Sequence, residues 1–243
     1  MLKRLFDFSL AVVGLILASP ILLPVMFLVW WEDRNSPFYI APRVGRFGKP
    51  FRMVKMRSMV MDSDRSGVSS TSSNDRRITA VGHFIRRFKI DELTQLWNVM
   101  LGDMSFVGPR PQVQTGVDLY TRKEHELLTV RPGITDFASI VFSDEGNILI
   151  DSKDPDGDYD RLIRPWKSRL GLTYIAARTL WLDLQLILWT VVAIFSRNAA
   201  LRAVTTVLQR LRANPEVIQV CQRRTALRPA PPPGDDFVPL VPG

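Results

Sequence analysis

The stretch from Phe8 to Trp31 contains no charged residue, and this constrains the chain more than any other feature of its sequence. As one continuous helix it would rise about 36 Å, enough to cross a hydrocarbon core of about 30 Å. Lys3, Arg4 and Asp7 precede it and Glu32, Asp33 and Arg34 follow. Basic residues therefore flank both ends, and the positive-inside rule gives no orientation. Pro20 and Pro24 lie in the middle. Each removes a backbone donor and crowds the preceding turn, so a kink is expected at Ser19-Pro20. The Ser19 hydroxyl can satisfy a carbonyl that a proline leaves free. Split there, each half is about 18 Å long, too short to cross alone. Two readings fit: a kinked single-pass anchor, and a helix-break-helix that dips into the bilayer and returns to the same face. A cleaved signal peptide fits less well, because Ala18-Ser19-Pro20 is a poor cleavage site and the apolar run continues past it. Trp30 and Trp31 suit the headgroup level.

The rest of the chain must match that environment. Lys and Arg outnumber Asp and Glu by 32 to 24, a formal charge of +8, which suits an anionic partner such as a lipid surface, phosphorylated substrates or nucleic acid. No nucleic-acid-reading module is recognisable, so lipid and phosphate explain the charge better. The single cysteine, Cys221, excludes an intramolecular disulfide. From Arg34 to Met61 there is no acidic residue, while Arg43, Arg46, Lys49, Arg52, Lys55 and Arg57 are spread through the stretch. Phe38–Ile40 and Phe51–Val54 read as short strands, and residues 62–75 as a mobile, Ser-rich surface loop.

Helices are expected over Ile78–Phe88, Glu92–Met100 and Val113–Thr129. The segment Leu180–Phe195 is strongly apolar yet carries Asp183 and Gln185. That pattern suits a helix in the membrane interface, with a buried core helix as the plainer alternative. Beyond Ala226 the Pro-rich composition predicts disorder.

Four features could carry chemistry. Asp91-Glu92 follows Arg86, Arg87 and Lys89 and opens an apolar helix. The cations would keep Asp91 ionised as a nucleophile, with Glu92 as a metal ligand. Equally, Asp91 could cap the helix and Glu92 complement its dipole. In Gly108-Pro109-Arg110-Pro111 the prolines would fix Arg110, whose fork suits phosphate, although a proline-stiffened turn explains them too. The basic stretch Arg43–Arg57 suits anionic headgroups or a diphosphate, or is simply solvated. The acidic run Asp154–Asp160 lacks carboxylates at both ends of an EF-hand register and reads as a solvated loop. His83 and His125 have no metal-ligand spacing, and no nucleophile elbow, P-loop or dinucleotide fingerprint is present.

These pieces, in this order, resemble the bacterial sugar transferase family, the monotopic polyprenyl-phosphate phosphoglycosyl transferases. The resemblance is carried by Lys3-Arg4-Leu5-Phe6-Asp7, the Ser19-Pro20 break, Arg43–Phe51 and Lys55-Met56-Arg57-Ser58-Met59. Its centre is Ile90-Asp91-Glu92-Leu93-Thr94-Gln95-Leu96-Trp97-Asn98-Val99 and Gly102–Pro111; Arg131-Pro132-Gly133-Ile134-Thr135 and Leu182-Asp183-Leu184 complete it. It implies a mostly helical α/β fold with a small sheet. A re-entrant membrane helix (residues 1–34) would precede a compact cytoplasmic catalytic domain (35–200) with interfacial amphipathic helices. A basic helix and Pro-rich tail (201–243) would follow.

The resemblance further implies that Asp91 attacks the β-phosphate of a UDP-sugar and releases UMP, and that polyprenyl phosphate then collects the phosphosugar. Glu92, with Asp91, would hold Mg²⁺, and Lys55, Arg86, Pro109, Arg110 and Arg131 would line the substrate phosphates. The implied location is the cytoplasmic face of the bacterial inner membrane, as the initiating step of a glycan pathway, with homodimerisation left open. Direct transfer through a ternary complex and a non-catalytic membrane-anchored scaffold are the competing readings.

The chain departs from the family pattern at two places. Thr94 stands where a proline is usual. After Ile134-Thr135, where many members continue with Gly, an aromatic and Ala-Gln, and slightly later an Arg, it reads Asp136-Phe137-Ala138-Ser139-Ile140-Val141-Phe142-Ser143-Asp144-Glu145.

Overall fold

The computed structural model describes residues 2–63 and 75–235; most of the loop expected at 62–75 lies outside them. The first element, α1 (Leu2–Asp33), is a single helix with Pro20 and Pro24 inside it. The prolines do not end it, so the expected break at Ser19-Pro20 is not a non-helical interruption. Pro20 has no N–H for the Ile16 carbonyl four residues back, and the Ser19 hydroxyl donates to that oxygen instead, at 2.7 Å. Asp7, Ala11, Ala18, Leu22, Val25 and Val29 are buried along one face, while Ile16, Leu17, Leu23 and Trp31 are exposed on the other.

Strands β1 (Phe38–Val44) and β2 (Pro50–Met56) form an antiparallel hairpin that pairs Tyr39 with Lys55. Both expected strands are present and longer than predicted. Then come α2 (Ala80–Arg87), α3 (Ile90–Leu93) and α4 (Leu96–Leu101). The helix expected over Glu92–Met100 is divided at Thr94-Gln95, because Thr94 is tied sideways: its hydroxyl lies 3.0 Å from the Asp91 carbonyl and 3.3 Å from that of Val54 on β2. Trp97 is exposed, whereas Leu96 and Val99 are buried.

A parallel pair, β3 (Ser105–Val107) and β4 (Gly133–Thr135), brings the Gly108–Pro111 loop against Arg131–Gly133. A Cβ on Gly133 would lie 2.1 Å from the Gly108 nitrogen, so glycine is required for this approach. The helix expected over Val113–Thr129 is instead α5 (Gln114–Asp118) and a 3₁₀ helix, Glu124–Thr129. The cause is tertiary. Glu124 is fully buried and accepts from Thr121 N, Arg164 and Ser168, which stops the segment from continuing as a solvated helix.

The main core is built by α6 (Phe137–Val141), α9 (Arg164–Ala177), α10 (Leu180–Phe195), α11 (Arg197–Arg210) and α12 (Pro215–Gln222), around Phe137, Ile140, Leu170, Leu186 and Leu208. Short α7 (Glu145–Ile148), α8 (Pro155–Asp158) and a π-turn, Tyr159–Ile163, cross its edge. The acidic run read as a loop is therefore helical: Asp154 caps α8 through Gly157 N, and Asp158 pairs with Arg161. The tail also departs from expectation as far as Asp235. Ala230 is buried and donates its N–H to the Arg161 carbonyl, and Pro233 O accepts from the Thr121 hydroxyl. Prolines adopt that extended path with little further loss of entropy.

Candidate active site

Lys89, with φ 53° and ψ 29°, occupies the left-handed region immediately before α3 and is its N-cap. A non-glycine residue there costs about 1–2 kcal/mol. Asp91 consequently lies within the first turn rather than at the cap, which removes the simple capping explanation for it. Its carboxyl is almost fully buried, and Oδ2 lies 2.7 Å from the Lys55 ammonium. Lys55 is held in register by Asn98, whose amide grips β2 at two points: Oδ1 accepts from Val54 N and Nδ2 donates to Arg52 O, each at 2.8 Å. Asn98 is only 1% exposed.

The neighbouring carboxylate has its own partner. Arg110 Nη1 lies 3.0 Å from Glu92 Oε1. Burial works to raise the Glu92 pKa, but Arg110, Lys89 and Lys55 outweigh it and hold it at about 2. Glu92 in turn keeps the guanidinium well above its ordinary value, against burial. The loop that carries Arg110 is fixed by Gly133 N, which donates to the Pro109 carbonyl at 3.0 Å. The structure thus brings together Lys55, Asp91, Glu92, Pro109 and Arg110. Two predicted members stand apart. Arg131 donates from Nε to the Gly102 carbonyl at 2.7 Å, at the end of α4. Arg86 is half-buried in the last turn of α2, and among the described residues no hydrogen bond or ion pair joins it to the dyad.

The sequence reading assigned no role to Asn98, nor to a second buried polar cluster. Lys3 Nζ lies 2.9 Å from Asp7 Oδ1 and 2.8 Å from Asp183 Oδ2. Ser105 donates to Asp7, and the Tyr174 hydroxyl to Asp183. Both carboxylates are 2% exposed, and such charges persist only when paired. The signal available was an aspartate near the start of each of two apolar helices, Asp7 in α1 and Asp183 in α10. This cluster fastens the start of α1 to α10. Arg4 adds bonds to the Val99 and Met100 carbonyls, while Asp33 and Glu32 fasten the far end to Arg57 and Thr79.

Beyond the dyad, Pro109, Arg110, Gln112, Tyr159 and Lys167 border an open cavity. The fold also exposes many apolar side chains: Phe84 of α2 and Phe88 at its end, Trp97 and Leu101 of α4, and Trp181, Leu184, Leu188, Val191 and Phe195 of α10. The inward face of α10 carries Leu182, Asp183 and Leu186, so the helix is not a wholly buried core helix. Among the described residues α1 alone is long and apolar enough to cross a membrane, and no cluster of three or more metal-ligating side chains occurs.

Two adjacent carboxylates, each paired with a cation and close to an open cavity, define a site suited to a phosphorylated substrate, on a fold whose exposed apolar residues suit contact with lipid. The chain belongs to the bacterial sugar transferase family, whose model matches residues 1–197. It is 34% identical over 193 residues to a UDP-N-acetylgalactosamine-undecaprenyl-phosphate N-acetylgalactosaminephosphotransferase of Aeromonas hydrophila, covering 78% of this chain and 43% of that protein. An undecaprenyl-phosphate glucose phosphotransferase of Komagataeibacter xylinus is 38% identical over 205 residues (81% and 36% covered). An undecaprenyl-phosphate galactose phosphotransferase of Salmonella typhimurium is 34% identical over 217 residues (82% and 41%). The chain spans less than half the length of these three relatives.

Proposed function

We propose that this protein transfers a sugar 1-phosphate from a UDP-sugar to undecaprenyl phosphate, in two steps through Asp91. The observation that carries the reading is the buried, lysine-paired Asp91 carboxylate beside the arginine-paired Glu92. The relatives' names supply the chemical class. In the first step a carboxylate oxygen of Asp91 bonds to the β-phosphorus, the bond from that phosphorus to the bridging oxygen breaks, and UMP departs with that oxygen. In the second, an oxygen of the lipid phosphate bonds to the same phosphorus, and the carboxylate leaves with its electron pair. The products are a polyprenyl-diphospho-sugar and restored Asp91. Lys55 and Arg110 are placed to balance the charge of the diphosphate and of the five-coordinate transition state.

Mg²⁺ fits this donor set. A site of one or two carboxylates completed by substrate phosphates is how Mg²⁺ is commonly held. Glu92, ionised throughout the working pH range, would hold it with Asp91, and it would supply charge neutralisation to the leaving UMP.

The way α1 is fastened supports a re-entrant membrane arrangement. A 32-residue helix is about 48 Å long, and both of its ends make polar contacts with one domain. A straight span would draw that domain and its charges into hydrocarbon at several kcal/mol per ion. A helix sunk into one leaflet and returning to the same face avoids this, with the exposed side of α10 in the interface. Nucleotide sugars are made in the cytoplasm, so the cytoplasmic face of the inner membrane is the surface where both substrates meet. The reaction there would initiate a bacterial glycan.

The test is UMP release by the full chain in detergent, with a panel of UDP-sugars, undecaprenyl phosphate and Mg²⁺. Lipid-dependent UMP from one donor is expected. Silence across the panel from folded protein would contradict the reading and favour a non-catalytic scaffold.

A further inference from the structure

Resting on that reading, we infer that the cavity beside Arg110 receives the sugar ring of the donor, and that Lys167, Tyr159, Gln112 and Ser139 select which sugar is used. The cavity is a small cleft of about 40 Å³ that opens to solvent, so a pyranose would lie in its mouth with one face against the lining. Arg110 forms part of its wall and also holds Glu92. A group lying against it is therefore close to the phosphorus that Asp91 attacks. Three groups could be so placed: the lipid, the uridine side and the sugar.

The lining favours the sugar. Gln112 donates to the Tyr159 hydroxyl at 3.5 Å, the Lys167 ammonium sits 5.1 Å from the centre of the Tyr159 ring, and Ser139 and Asp136 close the floor. Polar groups thus sit around an aromatic ring beside the apolar walls of Pro109, Leu127 and Ala138, a mixture that suits a sugar ring with its polar edge and apolar faces. The exposed apolar residues that suit the lipid lie instead on α1, α2, α4 and α10. The uridine side would bring an α-phosphate against Asp136. That carboxyl is 3% exposed, and burial raises its pKa despite the Ser139 backbone bond and Lys167. Phosphate sites avoid such a group, whereas a sugar hydroxyl can bond to it in either protonation state.

Asp136, Ala138 and Ser139 of the lining come from the part of the chain that departs from the family pattern. Asp136 and Ser139 form the capping box of α6, and Glu145 pairs with Lys167. Burial works to lower the Lys167 pKa, but Tyr159 and Glu145 outweigh it and keep the ammonium charged. Asp144 is braced by Arg197 at 2.8 Å and by Arg223 at 3.2 Å, and Arg223 comes from the segment beyond the family match. Relatives that share the dyad region are named for three different sugars. A cavity lined by Arg110 and also by Asp136, Ala138 and Ser139 of the divergent segment is where such differences can act.

The experiment compares wild type with Lys167→Met and Tyr159→Phe, as full chains in detergent with undecaprenyl phosphate. It reads the KM of each UDP-sugar and the inhibition constant of UDP, which lacks the sugar. The expected result is a rise in KM of at least about tenfold for the preferred donor and a loss of discrimination between epimeric donors. Inhibition by UDP should stay within about twofold of wild type. A parallel rise in KM and in the UDP constant would assign the cavity to the nucleotide and overturn the inference. So would unchanged KM and selectivity in both variants, and in either case lipid-dependent turnover by wild type would leave the transferase reading intact. An inactive wild type would remove both together. Tyr159→Phe changes one hydroxyl, so it reports on the cavity even where Lys167→Met folds poorly.

Discussion

Lys55 on β2 and Asp91 on α3 meet Nζ to Oδ2 at 2.7 Å, the lysine side chain 20% exposed and the carboxyl 6%. An ion pair this dry has two consequences. The cation keeps the carboxylate oriented and compensates its buried charge, and in the proposed reaction it lies where phosphate charge accumulates. Lys55→Met should therefore lower kcat by about 10²–10³-fold, the usual cost of one electrostatic stabiliser. Leaving Asp91 buried without its partner should also cost about 2–3 kcal/mol, the lower end for a broken buried pair because Lys55 retains some solvent. Steady-state UMP release and thermal unfolding in the same detergent check the two effects separately.

Arg110 governs the protonation of Glu92. The folded pKa of about 2 lies below the ordinary glutamate value of 4.5. The pair's contribution to stability is therefore complete above pH 4.5 and is lost as pH falls through about 2. In Arg110→Met, burial becomes the leading influence and raises that pKa. The acid limb of kcat/KM should then move up by at least about one pH unit relative to wild type. A pH–rate profile of the variant whose acid limb coincides with that of wild type would show that Glu92 is not held in its charged state by Arg110.

Asn98→Leu isolates a positioning effect. The substitution keeps the branched shape but strips bonds from Val54 N and Arg52 O, two backbone groups that flank Met53, two positions before Lys55. Two partly buried backbone groups left without partners should cost about 2–4 kcal/mol. Where the variant remains folded, kcat should fall at least about tenfold with little change in donor KM, because the lysine moves while the cavity does not. A variant of reduced Tm but wild-type kcat would confine Asn98 to stability.

Membrane attachment should depend on side chains that pack against nothing. Trp181 and Phe195 are 68% and 85% exposed, so Trp181→Glu and Phe195→Glu remove little internal packing. Each places a charge where the interfacial reading puts the bilayer. Flotation with anionic vesicles should show the double variant recovered with lipid several-fold less than wild type, with an unchanged circular dichroism spectrum. By contrast Leu186→Glu, 1% exposed on the same helix, should unfold the domain.

Much of this was legible in the sequence, and the parts that were not share a cause. The β1–β2 hairpin and the two-faced α10 follow from local patterning, and the dyad from its motif. The division at Thr94-Gln95 does not, because it depends on a hydroxyl reaching the Val54 carbonyl, forty residues away in the chain. Asn98 reads locally as an indifferent helix residue, and its value lies in the strand it grips. The stretch around Glu124 has helical composition but is reorganised by a buried carboxylate serving Arg164 and Ser168. In the tail, proline content signals freedom, yet Ala230 finds a buried place against Arg161. Each miss is a long-range polar or packing contact that no local window contains.

The central claim is that Asp91 carries the phosphosugar between substrates. Incubating the full chain with its UDP-sugar and Mg²⁺ but without undecaprenyl phosphate, quenching in acid and mapping peptides by mass spectrometry tests this directly. The account predicts one added phosphosugar on the peptide containing Asp91, discharged when the lipid is supplied. It should be absent from Asp91→Asn, which retains a hydrogen bond to Lys55 and should fold. A wild type that turns over with both substrates present yet never shows the adduct would contradict the claim, and direct transfer in a ternary complex would take its place.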